Sequence, residues 1–541
     1  MKYTTEKKQT IVLYILEKIV AETQSLSKVV AETFNISTNT VHTYLNELLE
    51  NGIIEKQKRG KYSLVNTCHE YTFQRSAGEL GSDTLPYDVC LEKQIKHLDG
   101  IVDAVEKHRK LILDTERYIW NNPETGYKEF KTSAYLAEKF KSLGYELTMA
   151  GDIPGFYTVI DTGREGPEVL ILGEMDSVIC PEHKEADPTT GAVHSCGHNV
   201  QCATLLGIAA ALKAPRMLDS LSGKIRLCAV PAEELLEIKY RKELKEKGII
   251  HYFGGKSEFL RRGYFDGVSL AFMVHITDAD NFFVDKGDIG CIAKEITYKG
   301  KAAHAGEAPQ DGINALYAAN CGLNAINALR ETFRDQDNIR VHPIITEGGA
   351  IVNSIPETVR LESYVRGVDF ESIFNANRRV NRALVGAAIS LGANVEIDDI
   401  PGYAPLINDA NLAALSEIAL KKVLPDEKME YIERIGTGST DMGDLSCVMP
   451  VVHPYCPGAK GTAHGSDYVI NDTERACISN TKFQLALLYL LLENGCERAK
   501  KIVSDYNPRF ASAEEYFNYI DSIAFSGDRI IYDENAIIAR C

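Results

Sequence analysis

Apolar residues near the start of the chain recur with the spacing of amphipathic helices. The first predicted helix spans residues 8–22, in which the positions three or four residues apart are Val12, Ile15, Leu16 and Ile19. Similar patterns predict helices at 25–35 and from about Asn39 to Gly52. The basic segment that follows predicts a short β-hairpin with its turn at Arg59-Gly60.

Three helices followed by a hairpin resemble a winged helix-turn-helix, whose third helix enters the DNA major groove and whose wing contacts phosphates. The predicted domain, residues 1–65, carries nine Lys/Arg and seven Asp/Glu, so it is slightly basic in an acidic chain. The resemblance implies that DNA would be contacted by Ser37, Thr38, Asn39, Thr40, His42, Thr43, Lys58 and Arg59. The alternative is a small helical bundle that mediates dimerisation or gates substrate access.

The pattern changes after this domain. Residues 66–100 lack periodicity and cluster Gly, Ser, Asp and Pro, which predicts a linker. Beyond it, β-rich runs alternate with helices, which predicts an α/β catalytic domain with a mostly parallel central sheet, formed by residues 101–285 and 401–495. Residues 286–400 interrupt it with a β-α-β-β-α-β order that resembles a ferredoxin-like α+β lid. Residues 496–541 form a C-terminal extension.

Composition and charge exclude several classes of protein. Of 541 residues, 45% are hydrophobic and 25% are charged, as in globular proteins, and no apolar run approaches the ~20 residues of a membrane helix. The N-terminus lacks the pattern of a signal peptide. A net charge of -17 argues against a protein that coats nucleic acid. Thirteen scattered cysteines favour free or metal-bound thiols, so we expect a cytoplasmic protein with no membrane partner.

Five clusters of metal-binding residue types follow predicted strands, where α/β sheets bind their ligands. These clusters are Glu174-Met175-Asp176, the run VHSCGHNVQ at 193–201, Pro231-Ala232-Glu233-Glu234, His275 and the run TAHGSD at 462–467. Cys196 and His198 can point into one site from a glycine-containing turn. Of the adjacent Glu233 and Glu234, one can bind metal while the other accepts a proton from water. The pattern therefore indicates a metal site.

The ordered motifs GEMDSV, HSCGHN, PAEE, GKAAHAGEAPQDGINAL, GGAIVNSIPE, STDMGDLS and TAHGSD resemble the aminoacylase-type di-metal amidohydrolases and peptidases. That family includes hippurate hydrolases, auxin-conjugate amidohydrolases and p-aminobenzoyl-glutamate hydrolases, and the similarity covers about residues 105–495. It implies a metal-activated water that cleaves the amide bond of an N-acyl amino acid, an aminobenzoyl-glutamate-like conjugate or a dipeptide. It also implies two divalent ions per subunit, and the Cys196 thiolate favours Zn over Mn, Co or Ni.

The resemblance implies a role for each matching residue. The metal ligands would be Cys196, His198, Glu234, His275 and His464. Glu233 would be the general base, and Asp176 would support a metal-site histidine. His304 would be the oxyanion donor, reaching the active site across a homodimer formed by the lid. Asn353 and Arg366 match positions near the substrate carboxylate, although Arg366 in a strand could equally form a surface ion pair.

Two features leave alternatives open. The segment LLEIKYRKELKEKGIIHY after Glu234 is longer than in relatives, and it could be a helix that shapes substrate access or inert surface. The fused N-terminal domain permits a second hypothesis, a metabolite-sensing DNA-binding transcriptional regulator built on an amidohydrolase fold. This hypothesis is compatible with enzymatic activity. An exopeptidase of wider specificity is a third hypothesis.

Overall fold

The computed structural model describes residues 15, 26–34, 36–50, 54–58, 61–64, 95–533 and 536–540. The chain divides into two compact units, residues 1–96 and 97–541. None of the helices in the described ranges combines the length and the apolar character that crossing a membrane requires. The cysteines within those ranges are free thiols, in agreement with the expectation from composition.

The N-terminal unit contains two of the predicted helices and the predicted hairpin. The helices are Leu26–Phe34 and Thr38–Glu50, and the antiparallel strands are Ile54–Lys58 and Lys61–Leu64. The Ser37 hydroxyl accepts a hydrogen bond from the Thr40 backbone amide (3.1 Å) and so caps the second helix. The predicted helix 8–22 and the turn at Arg59-Gly60 lie outside the described residues, apart from Ile15, which is helical and buried. The assignment as a winged helix-turn-helix therefore stays a prediction.

The central sheet of the second unit is mixed but mostly parallel, as predicted, because one strand, Phe156–Asp161, runs against the other five. Its six strands are, in order, Val451–Val452, Leu270–Phe272, Glu168–Glu174, Lys224–Val230, Phe156–Asp161 and Thr148–Met149. The first four strands are parallel to one another. The fifth pairs antiparallel with the fourth and with the sixth. Residues 150–155 join the last two strands and are too few for the crossover that parallel pairing needs. The strand Glu168–Glu174 is buried along its whole length.

Helices surround this sheet. They are Ile95–Lys107, Arg109–Trp120, Phe130–Ser142, His198–Leu212, Gly255–Arg261, Ala410–Val423, Met442–Ser446, the π-helix Glu474–Ser479 and Asn480–Leu492. The first begins at Ile95, inside the predicted linker, because its apolar spacing extends upstream of residue 101. It ends at Lys107, and non-helical dihedral angles at His108 separate it from the next helix.

A smaller mixed sheet and two ribbons complete the central part of the unit. The strands of this sheet are, in order, His275–Thr277, Tyr455–Pro457, Phe282–Asp288 and Met429–Gly436. The ribbons are Val178–Ile179 with Ala192–Val193 and Ala459–Lys460 with Val469–Ile470. His275 follows the strand Leu270–Phe272, as predicted, and it also begins a strand of this smaller sheet.

A separate antiparallel sheet, called here the second sheet, lies between residues 290 and 401. Its strands are, in order, Arg340–Val341, Thr358–Gly367, Gly290–Lys299 and Asn394–Pro401, with Ile344–Glu347 also paired to Thr358–Gly367. The helices Ala315–Leu329 and Phe370–Ser390 bury one face of the sheet. The chain order is β-α-β-β-β-α-β, because two short strands, Arg340–Val341 and Ile344–Glu347, stand where the predicted β-α-β-β-α-β order has one. The role of this region as a lid stays a prediction.

The insertion and the C-terminal extension are both folded. The insertion contains the helix Ile238–Glu246, as one of the two alternatives predicts. Lys242 on this helix forms ion pairs with Asp398 (2.5 Å) and Glu295 of the second sheet. The extension consists of the helices Glu497–Asp505 and Ala513–Asp521 and the hairpin Ile530–Tyr532 with Ile537–Ala539. Phe517 of the extension stacks on Tyr252 of the insertion, with ring centroids 4.6 Å apart.

Candidate active site and metal centre

Cys196 belongs to two groups of ligand side chains. The first group is Cys196, His198 and His275, and the second is Cys196, Glu234 and His464. Within each group, one ligand atom from every residue lies within 4.8 Å of the others. The Cys196 Sγ is 3.4 Å from His275 Nε2, and the His464 Nε2 is 3.1 Å from Glu234 Oε1. Sulfur, imidazole nitrogen and carboxylate oxygen suit a divalent transition metal, and each group can hold one cation.

The turn before a buried helix brings the two groups together. Gly197 follows Cys196 with φ of 89°, and His198 begins the helix His198–Leu212. A Cβ atom at Gly197 would lie 2.0 Å from Ile276 Cγ2, so only glycine fits this close approach to the neighbouring strand. On the far side of the site, His464 adopts φ of 62° and its backbone amide donates to the carbonyl of Ser195 (2.8 Å). Residues far apart in sequence therefore meet around Cys196.

Asp176 connects the two groups. Its Oδ1 lies 3.1 Å from His198 Nδ1, and its Oδ2 accepts a hydrogen bond from the Glu234 backbone amide (2.7 Å). This contact directs the other ring nitrogen of His198 into the site. Within the described part of the chain, this buried Nε2 has no hydrogen-bond partner. An orphaned nitrogen on an imidazole oriented by a carboxylate fits a metal ligand.

The electrostatics favour the ionised forms of Cys196 and Glu234. Burial and the Glu234 carboxylate raise the pKa of Cys196, but the imidazoliums of His198 and His275 outweigh them and lower it to about 6. Burial likewise opposes ionisation of Glu234, yet His464 and His198 lower its pKa to about 2. Thiolate and carboxylate are the forms that bind metal ions.

The environment of Glu233 raises the pKa of its carboxyl group, in contrast to that of Glu234. Its carboxyl lies within 4.8 Å of ligand atoms of Glu174 and His198. Burial, followed by the carboxylates of Glu174 and Glu234, raises the pKa of Glu233 well above its usual range. Neighbouring carboxyl groups whose pKa values are driven apart are typical of an acid–base residue beside an ionised one. The adjacent carboxyl groups of Glu233 and Glu234 therefore lie in opposite electrostatic environments.

Two predicted residues lie outside this centre in the single chain. His304 is exposed, and its Nδ1 accepts from the backbone amides of Gly306 (3.2 Å) and Glu307 (3.0 Å). Asn353 is also exposed and lies beside it, because the Asn353 carbonyl accepts from the Ala305 amide (2.9 Å). Neither residue belongs to the ligand groups found among the described residues.

Arg366 lies on the helix-free face of the second sheet. Its guanidinium stands 5.3 Å from the centre of the Tyr364 ring. Its Nε is buried without a hydrogen-bond partner, and across the described ranges Arg366 forms no ion pair within 4.0 Å. These contacts do not favour the alternative of a surface ion pair, and the side chain is left with an unused donor.

Sequence reasoning missed a buried ion-pair group behind the site. Lys256 is fully buried and pairs with both Glu174 and Asp441. Glu174 also lies 3.3 Å from His198 through Oε2 and Nε2. In the sequence, Glu174 stands within GEMDSV, Asp441 stands within STDMGDLS, and Lys256 follows two glycines. The three residues stand far apart along the chain, so local spacing does not connect them.

Known proteins resemble this chain in sequence. The sequence profile of peptidase family M20/M25/M40 matches residues 170–488, more than half of the chain. The Xaa-Arg dipeptidase of Mus musculus is 27% identical over 359 residues, which cover 63% of this chain and 74% of that protein. A p-aminobenzoyl-glutamate hydrolase chain of Escherichia coli (strain K12) is 27% identical over 305 residues, 55% of this chain and 59% of that protein.

A solved structure provides a comparison of folds. A dinuclear metal-binding peptidase of the M20 family from Bacillus subtilis has a TM-score of 0.54 at 19% sequence identity. The match covers 72% of this chain and 99% of that protein. The chain therefore shares the mixed α/β fold of that structure.

Proposed function

The chain belongs to peptidase family M20/M25/M40, and from this premise we propose that the two groups around Cys196 form its catalytic metal site. It is a metal-dependent hydrolase of amide bonds, as its similar proteins are named hydrolases, peptidases and deacetylases. We propose that the substrate is an N-acyl amino acid, an aminobenzoyl-glutamate-like conjugate or a dipeptide. The observation that carries this proposal is one thiol shared by two ligand groups, with the Glu233 carboxyl within 4.8 Å of a ligand atom of His198.

The ligand set supports two cations per chain. His198 and His275 would hold one, Glu234 and His464 would hold the other, and Cys196 would contact both. The thiolate favours Zn, with Mn, Co and Ni as the alternatives. When bound, such ions lower the pKa of a water molecule and polarise the scissile carbonyl.

Side chains around the metal ligands would transfer the proton, orient the ligands and bind the substrate. Glu233 takes a proton from the attacking water on its carboxylate and later gives it to the leaving amine nitrogen. Asp176 fixes the orientation of the His198 ring through one carboxylate oxygen and the position of the Glu234 backbone through the other. Arg366, with its unused donor, would bind the carboxylate of the substrate.

A substrate panel tests the proposed function. The purified chain, with Zn or Mn added, is incubated with N-acyl amino acids, p-aminobenzoyl-glutamate and dipeptides, and the released amine is measured. We expect turnover of at least one class, and we expect a chelator to abolish it. Preference for dipeptides over N-acyl amino acids would favour an exopeptidase. Absence of turnover across the panel, in protein that holds metal, would contradict the proposal.

The exposed edge of the second sheet supports a homodimer. Every residue of the edge strand Ile344–Glu347 is exposed. Large apolar side chains that are at least two-fifths exposed cluster in the same region of the chain: Tyr317, Ile344, Ile345, Ile351 and Val352. An unpaired edge strand with exposed apolar residues is typical of an interaction surface. His304 and Asn353 lie beside Val352, so a partner docked here would receive them, and His304 would then steady the oxyanion.

Mixed dimers test the contribution of His304 in trans. We expect His304→Ala and Glu233→Gln to be inactive separately, because each lacks one essential group at every site. Mixing the two after dissociation creates heterodimers with one complete site, so activity should recover to about a quarter of wild type. Sedimentation confirms the dimer, and unmixed variants serve as controls. An active His304→Ala protein, or dimers that mix without recovery, would contradict the proposal.

DNA binding by the N-terminal unit is a second candidate function. On the helix Thr38–Glu50 and the turn before it, the polar residues proposed to contact DNA are exposed or half-buried: Ser37, Thr38, Asn39, Thr40, His42 and Thr43. Apolar Val41, Leu45 and Leu48 are buried on the opposite face. This division leaves the polar face open to a major groove. The comparisons favour the enzyme over the regulator, so we propose DNA binding as an additional activity.

Charge reversal in the hairpin tests DNA binding. The full chain is first challenged with a random-sequence duplex pool, and retained duplexes are used for affinity measurements. We expect Lys58→Glu with Arg59→Glu to weaken binding about tenfold or more, because lost phosphate contacts lower affinity for all sequences. The control, Lys110→Glu with Lys141→Glu, makes the same charge change at exposed lysines of the second unit. Equal weakening by both pairs, or no retained duplex, would contradict the proposal.

A further inference from the structure

The two central glutamates lie on a strained loop. Residues 231–235, called here the glutamate loop, follow the buried strand Lys224–Val230. Within it, Ala232 adopts φ of 57°, a region that residues with a side chain rarely occupy. Such conformations persist only where the surrounding structure fixes them. The contacts made by this loop therefore determine the direction in which Glu233 and Glu234 point.

Three contacts from neighbouring segments hold the first half of the loop. The Glu129 carboxylate accepts from the Ala232 backbone amide (2.7 Å), and the Ala232 carbonyl accepts from the Gly255 amide (3.1 Å). Asp176 accepts from the Glu234 amide (2.7 Å). Two buried carboxylates thus satisfy two amides of the loop. The carbonyls of residues 233–235 have other hydrogen-bond partners.

Three side chains from other segments donate hydrogen bonds to the backbone carbonyls of residues 233–235. The Tyr403 hydroxyl donates to the Glu233 carbonyl, the Arg241 guanidinium donates to the Glu234 carbonyl, and the Tyr364 hydroxyl donates to the Leu235 carbonyl. Tyr364 stands in the strand Thr358–Gly367 of the second sheet, and Tyr403 follows the last strand of that sheet. Arg241 stands on the insertion helix. The insertion therefore contacts the Glu234 backbone, the segment after the second sheet contacts the Glu233 backbone, and the second sheet itself contacts the next residue, Leu235.

Arg241 is an unusual residue to bury. Only 1% of its surface is exposed, and its other terminal nitrogen donates to the Phe253 carbonyl (2.5 Å). Glu234 and Phe253 flank the insertion on its two sides, so one guanidinium joins both ends of the segment. Burying a guanidinium costs free energy unless its donors are used. A hydrophobic side chain would fill the same space without this cost, whereas the guanidinium adds a second donor to the Glu234 carbonyl, which also accepts from the Leu236 amide (2.8 Å).

We propose that Arg241, Tyr364 and Tyr403 are positioning residues that align Glu233 and Glu234 for amide hydrolysis. The insertion then helps to position the catalytic residues. Tyr364 of the second sheet and Tyr403, which follows its last strand, link the position of that sheet to the loop that carries Glu233. Lys242 reinforces the link, because it ties the insertion helix to Asp398 and Glu295 of the second sheet. This inference rests on the proposed function of Glu233 and Glu234.

Removing single hydroxyls tests the inference. We expect Tyr403→Phe and Tyr364→Phe, at full metal content, each to lower kcat about ten- to a hundredfold with KM within about twofold, because small misalignment of a catalytic group is costly. The matched control is Tyr298→Phe. It removes another buried hydroxyl, which donates to the Leu384 carbonyl (3.1 Å) in the second sheet away from the loop, and it should leave kcat unchanged.

Substitutions at Arg241 give a second readout. Arg241→Lys keeps a donor and should retain more of kcat than Arg241→Met, which fills the space without one. Unchanged kcat in both tyrosine variants would overturn the inference, and so would an equal loss in Tyr298→Phe. Failure of the proposed function is separately visible, because the wild-type chain would then hydrolyse nothing in the panel.

Discussion

Glu233→Gln lowers kcat for amide hydrolysis by about 10²–10⁴-fold while the metal content of the chain is unchanged. The amide of glutamine cannot take a proton from water, whereas the shape of the side chain is preserved. Glu233 belongs to a third group, with Glu174 and His198, and lies outside the two groups that contain Cys196, so those two groups keep all their ligands in this variant. The position of the Glu233 carboxyl, within 4.8 Å of a ligand atom of His198, supports this assignment.

The neighbouring residue provides the matched variant. Glu234→Gln makes the same chemical change one position along the chain, but it removes a carboxylate from the group formed with Cys196 and His464. We expect this variant to lose metal as well as activity. Metal content by elemental analysis and steady-state kinetics on the same preparations distinguish the two. Full activity in Glu233→Gln, or equal metal loss in both variants, would contradict the assigned roles.

Cys196→Ala removes the ligand that both groups share, and we expect it to release both metal ions and all activity. His275→Ala and His464→Ala each disrupt one group, so each should lower the bound metal by one ion. The stoichiometry of the three variants therefore tests whether the thiol is common to two sites. Elemental analysis after dialysis against free metal gives the number bound.

A second buried cysteine serves as the control for Cys196. Cys228 lies in the central strand Lys224–Val230 and takes part in none of the ligand groups found among the described residues. Cys228→Ala should bind metal as wild type does, although it leaves a small cavity that costs some stability. Equal stoichiometry in Cys196→Ala and His464→Ala would contradict a shared thiol.

The candidate ligands could be predicted because each stands in a short motif at a recognisable point of the chain. Cys196 and His198 flank one glycine, and Glu233 and Glu234 stand three and four residues after the end of a strand. Such local signals depend on neighbouring residues and on the rule that sheets bind ligands at their carboxyl ends. The five predicted ligands are brought together by the fold within the two groups around Cys196.

The support of the site could not be predicted, because its contacts join distant segments. Tyr403 reaches the Glu233 carbonyl from 170 positions away, and Lys256 reaches Asp441 from 185 positions away. Nothing in the spacing near Arg241 indicates that its guanidinium would turn inward, since arginine on a helix is usually exposed. The antiparallel strand of the central sheet could not be identified for a related reason, because strand direction follows from connection length and packing rather than from hydrophobic pattern.

The most direct test of the central claim is a metal titration of the metal-free chain. Zn or Mn is added in steps to protein stripped with a chelator, and bound metal and hydrolysis of the best panel substrate are measured on each sample. The account predicts no hydrolysis without metal and a rate that reaches its maximum as the second ion binds per chain. Undiminished hydrolysis by the metal-free chain, or two bound ions with no hydrolysis of any substrate, would contradict it.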